Sequence, residues 1–127
     1  MLPLRHRGLW LAASAALILL VIWGSLQTDV DLPAPGGFDK FEHFGTYLFL
    51  ALWFTGLYPS RRYGAIAAVL VGLGLAMEIG QYLMAAGRIA DPYDMAANTL
   101  GVGLGLAVAL RASGGWTPKV EAWLSRN

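Results

Sequence analysis

The residues of this chain that could do chemistry are few and stand out against an apolar background. Glu78, His43 and Asp94 are of the types that exchange protons in general acid–base catalysis once burial tunes them. Lys40 and Arg88 suit an anionic group, Arg88 through its planar fork of donors. Asp39, Tyr47, Gln81 and Asn98 could complete a ligand-binding surface around them. Glu78 is the most informative. It lies about eight residues, or roughly 12 Å, inside the end of a long apolar stretch. A charge near mid-bilayer costs roughly 2.5–3.5 kcal/mol on insertion scales, so Glu78 should face protein or a wet cavity.

Other chemistries find less support. With no Cys there is no disulfide, thiolate metal site or Cys nucleophile. His43, Glu78 and Asp94 are also metal-binding types, but no HExxH-like or Asp-rich spacing fixes a metal, so no metal site is expected. No nucleotide loop or recognisable Ser nucleophile occurs, and no cofactor is identified. The net charge is +1, without a basic patch, so nucleic acid is not an expected partner.

Some of these residues have a purely structural explanation. Asp39-Lys40-Phe41-Glu42 fits an acidic N-cap followed three residues later by Glu. Asp91-Pro92-Tyr93-Asp94 reads as a helix start, with Asp91 as cap and Pro92 at the first helical position, so Asp91 is given to structure. Asp94 could merely compensate the helix dipole. Asn98 is a turn too deep to cap anything and needs a partner inside a bundle.

The elements that must hold these residues are membrane helices. The chain is 57% hydrophobic and 13% charged, whereas soluble domains are about a quarter charged. Lipid is therefore the expected solvent. Four spans are predicted at about 8–26, 41–58, 63–86 and 92–110, in one domain covering 1–127. The first run, after Arg5, His6 and Arg7, resembles a signal peptide but is too long and lacks a small-x-small site, so it reads as a retained span. The charge-free part of the second, Phe44 to Tyr58, is only about 22 Å long. Tilt or local thinning would close that gap. A short amphipathic segment from Lys119 to Arg126 is expected at the interface.

Orientation follows from basic residues. Arg5 and Arg7, Arg61 and Arg62, then Arg111, Lys119 and Arg126 share one side of an up-down bundle. That side is predicted cytoplasmic, with both termini, and the polar cluster outside. On the second span Lys40, His43 and Tyr47 point within about 60° of one another. On the fourth, Asp94, Asn98, Gly101 and Gly105 share an arc. Gly64, Ala68, Gly72, Ala76 and Gly80 form a small-residue stripe on the third, which predicts close packing on the first span or on a second copy of the chain.

Asp39-Lys40-x-x-His43-Phe44-x-x-Tyr47, Glu78-x-x-Gln81, Gly87-Arg88 and Asp94-x-x-x-Asn98-Thr99-Leu100-Gly101 together resemble the VanZ-like family of small bacterial membrane proteins. Ala86 departs from the Pro that often precedes the family's Gly-Arg. The resemblance implies a bacterial inner membrane, a link to the cell envelope and a connection with teicoplanin-type resistance. It marks Asp39, Lys40, His43, Glu78, Gln81, Arg88, Asp94 and Asn98 as the recurrent polar positions.

Three functions compete. The favoured one is an envelope protein that binds an amphiphile, either a lipid-linked precursor or a glycopeptide antibiotic. Lys40 and Arg88 would hold its anionic group, beside Tyr47 and Tyr93. The second is an intramembrane hydrolase or transferase on a lipid-linked substrate, with Glu78 or His43 as base and Asp94 as partner. The third is a structural or assembly subunit in which the cluster only locks the bundle.

Overall fold

The computed structural model describes residues 1–26, 38–84, 91–112 and 115–126. They form helices α1 (Arg7–Leu26), α2 (Phe38–Leu57), α3 (Tyr63–Met84), α4 (Pro92–Arg111) and α5 (Trp116–Leu124), with a 3-10 turn at Ser60–Arg62 between α2 and α3. The architecture is all-α, as expected. Among the described residues, three segments are long and apolar enough to cross a membrane: Arg7–Leu26, Ser60–Met84 and Pro92–Arg111. α2 is as long as α1 and α4, but Lys40, Glu42 and His43 in its first two turns lower its apolar average.

Local chemistry sets the boundaries. Asp91 caps α4 in an extended conformation, its carboxylate accepts the Tyr93 N–H at 2.8 Å, and Pro92 opens the helix. This is the expected helix start. The capping expectation at Asp39 is corrected: α2 already begins at Phe38, so Asp39 lies in the first turn and its carboxylate turns to Lys40. Pro59, extended and without an amide proton, separates α2 from the Ser60–Arg62 turn.

The helices run up and down. Lys40 of α2 meets the start of α4, and Gln81 near the end of α3 meets Ser25 near the end of α1. At the opposite end, Thr117 of α5 donates to Gly56 O and Leu2 N–H donates to Leu57 O. In lipid the hydrophobic effect does not drive helices together, so close packing and hydrogen bonds must. The tightest pair is α2 and α4. Gly101 presses on the backbone of Phe44 and Leu48, and Gly105 on Ala51 and the Leu48 carbonyl; a Cβ at Gly105 would stand 2.6 Å from the Ala51 methyl. Tyr47, Leu50, Ala51, Leu70 and Val102 form the core between α2, α3 and α4.

The stripe on α3 behaves differently from that on α4. Gly64, Ala68, Gly72 and Ala76 are exposed, and nothing approaches Gly64 or Gly72. Only Gly80 touches α1, through Leu26. Close packing of the whole stripe on the first span is therefore not what this chain does. The buried face of α3 is instead Tyr63, Leu70, Gly74 and Glu78.

Of α1 only Ser14 is buried, while Leu17, Ile18 and Val21 pack on the core from one side. Ser14 Oγ donates to Trp10 O and accepts the Trp53 indole N–H at 2.9 Å. Trp10, Trp53 and Trp116 pack with centroids 5.7 Å apart, Trp116 edge to face on the other two and Trp10 tilted on Trp53. Glu121 of α5 accepts the Arg5 and His6 amides and the Trp10 indole at 2.7–2.9 Å. These amides lie at the start of α1, where free N–H groups need acceptors. α5 begins at Trp116, three residues before the expected Lys119, and serves as a latch across α1 and α2.

Candidate functional site

The starts of α2 and α4 and the last turns of α3 converge on one polar cluster. Gly101 and Gly105 bring α4 against α2, and this contact fixes the distance between His43 and Asn98. Asn98 is 1% exposed and accepts from His43 Nδ1 at 3.2 Å. The other ring nitrogen of His43, Nε2, faces Asp94 Oδ2 at 3.8 Å. Gly74 on α3 leaves room for the Asn98 amide and the Tyr47 hydroxyl, which would lie 3.0 and 3.3 Å from a Cβ there.

Glu78 points inward and is 5% exposed. Its Oε2 accepts the Asp91 amide at 3.3 Å, while Oε1 has no hydrogen-bond partner among the described residues. Tyr47, 2% exposed, carries a hydroxyl in the same condition. Buried polar atoms are normally paired, so two orphans side by side need an explanation.

Lys40 lies at the rim. Its ammonium reaches Asp39 at 2.9 Å, Asp91 at 2.8 Å and Asp94 at 3.1 Å. The bond from Lys40, helped by the Tyr93 amide, holds the Asp91 carboxyl below the usual carboxylate range. One cation is thus shared among three carboxylates and is not free to grip an anion alone. Beside the cluster, a cleft of about 560 Å³ opens between α1, α2 and α3. Leu20 and Val21 line one wall; Asp39, Glu42, His43 and Gln81 line the polar side.

The structure brings together Asp39, Lys40, His43, Tyr47, Glu78, Asp94 and Asn98. Gln81 lines the cleft but donates to Ser25 O at 2.7 Å, tying α3 to α1. The Tyr93 side chain is exposed, and the residue joins the cluster only through its amide, which donates to Asp91. Arg88 lies outside the described residues. Asp91 was read from sequence as a cap alone, yet it also binds Lys40 and Glu78. Its position three residues before Asp94, on the same helical face, was the available signal.

His43, Glu78 and Asp94 each offer one ligand atom, all within 4.8 Å of one another. The same holds for Asp39, Asp91 and Asp94, whose centre the Lys40 ammonium already occupies. No local motif announces the first trio because its members come from three different helices.

A family model described as VanZ/LLP1 matches residues 7–113, which covers every helix named above except α5. The chain belongs to the VanZ/LLP1 family. Neither a curated protein nor a solved structure matches it. As a VanZ/LLP1 member it is a protein of membrane type, with apolar helices holding a polar cluster at one end.

Proposed function

We propose that this VanZ/LLP1 protein spans the bacterial inner membrane four times, α2 included, with both termini cytoplasmic. Its outward-facing polar cleft binds the head of an amphiphilic envelope ligand, a lipid-linked precursor or a glycopeptide antibiotic, and so contributes to teicoplanin-type resistance. The observation that carries this reading is the cleft itself, polar along Asp39, Glu42, His43 and Gln81 and apolar along Leu20 and Val21. Such a cleft matches a molecule with a polar head and an apolar tail. Lys40, shared among three carboxylates, would hold an anionic head only together with Arg88 and with hydrogen bonds from the cleft.

The orientation rests on the seven basic residues at the other end of the bundle: Arg5, Arg7, Arg61, Arg62, Arg111, Lys119 and Arg126. A reporter fused after Asn127 should stay cytoplasmic; an exterior reporter sinks this half of the proposal.

Substitution tests the site. His43→Ala and Glu78→Gln should insert and fold but lose the teicoplanin phenotype, read as the inhibitory concentration in cells expressing each form. Full resistance in both variants would remove the cluster from function. The Lys40 ion pairs favour a second reading, a structural subunit whose polar groups only lock α2 to α4. Collapse of both variants in detergent selects that one. Turnover of a lipid-phosphate or lipid-glycan substrate that vanishes in Glu78→Gln selects an intramembrane hydrolase or transferase.

A further inference from the structure

His43 Nε2 and Asp94 Oδ2 lie 3.8 Å apart in the cluster. Asn98 Oδ1 is a carbonyl oxygen and can only accept, so His43 Nδ1 must carry the proton in their 3.2 Å bond. In the neutral ring that leaves the Nε2 lone pair directed at Asp94 Oδ2. Their 3.8 Å separation is too long for a hydrogen bond, even from a protonated ring. Glu78 belongs to the same trio, and its buried Oε1 has no partner among the described residues. An imidazole held by its distal N–H, with its other nitrogen turned toward carboxylates, is how metal-bound histidines are oriented.

We propose that His43 Nε2, Glu78 and Asp94 bind a divalent transition-metal ion of the zinc class. The ligand atoms lie within 4.8 Å of one another, so bonds of about 2.0–2.2 Å to each can be closed by small side-chain shifts. One imidazole and two carboxylates suit zinc or its neighbours better than magnesium or calcium, which prefer oxygen alone. Asp39, Asp91, Asp94 and Glu78 bring four carboxylates against the single charge of Lys40, and a dication on Glu78 and Asp94 would offset two of the three that remain. Three protein ligands leave a coordination position for a water or a ligand oxygen, the pattern of open rather than structural zinc sites. Asn98 is a positioning residue that fixes the ring. The inference stands on the cluster alone and does not need the envelope-ligand reading.

The test uses the full chain in detergent, stripped with chelator and titrated with zinc alone. One zinc per chain should bind at micromolar or tighter affinity. His43→Gln and Glu78→Gln should each weaken it more than about 100-fold, and Asn98→Ala by roughly 10–100-fold. His6→Gln, which removes the other histidine at the far end of the bundle, should leave it unchanged. X-ray absorption on the zinc-loaded wild type should show one imidazole among oxygen ligands, a readout that survives even if a variant misfolds. No binding by the stripped wild type, unchanged affinity in the trio variants, loss in His6→Gln, or a zinc shell without imidazole would each overturn the proposal.

Discussion

Lys40 holds its ammonium among three carboxylates from two helices. Without it, Asp39, Asp91 and Asp94 would lose the cation they share. Lys40→Met should therefore lower the melting midpoint in detergent, and adding Asp91→Asn should restore part of the loss. Asn caps a helix as well as Asp does but brings no charge, so the rescue reads repulsion and not a lost cap. An unrescued midpoint would mean the lysine matters through packing. At this scale the sequence was legible where a residue had no structural alternative. Glu78 and Asn98 were too deep to be caps, and both are buried in the cluster. Asp91 was missed because its capping role already accounted for it, and nothing local reveals a lysine 51 positions away.

The helices show why one small-residue pattern is used within the chain and another is not. Glycine spacing tells where a backbone can approach but not which backbone comes. Gly101 and Gly105 were filled by α2; Gly64 and Gly72 meet nothing. Gly101→Ala would drive a methyl into the Phe44 backbone. It should cost about 1–3 kcal/mol as overpacking, read by denaturant titration in detergent, whereas Gly103→Ala, with open space around it, should be nearly neutral. Helix ends were legible to within about three residues because Pro59, Pro92 and Asp91 act locally. The latch was not legible, since Glu121 reaches α1 and the residues before it across 111 or more positions. Partial desolvation pushes the Glu121 carboxyl up, but the His6 and Arg5 amides and the Trp10 indole outweigh it and pull the carboxyl below its ordinary value of 4.5. A lowered folded-state value means the latch contributes fully above the ordinary value and fades as pH falls through the lowered one. Tryptophan fluorescence should report α1 loosening in that acid range, and Glu121→Gln should abolish the pH dependence; an unchanged acid transition in the variant would exclude Glu121 as its source.

Across the whole molecule, charge is sorted by end: acids gather at the cluster and most basic residues at the latch. The uncovered stripe of α3 is the face on which a homo-oligomer would form, which we offer as a proposal. Gly72→Leu should leave the monomer folded, since no neighbour stands within 4 Å. In cross-linking in native membranes it should abolish any dimer band; a dimer that persists unchanged places the contact elsewhere. The latch has a bearing on synthesis. Glu121 leaves the ribosome 115 residues after His6, a delay of roughly 6–23 s at ordinary elongation speeds. During that interval the Arg5 and His6 amides lack the Glu121 carboxylate. A nascent chain halted before Glu121 would thus present membrane proteases with four assembled helices and an unfastened start.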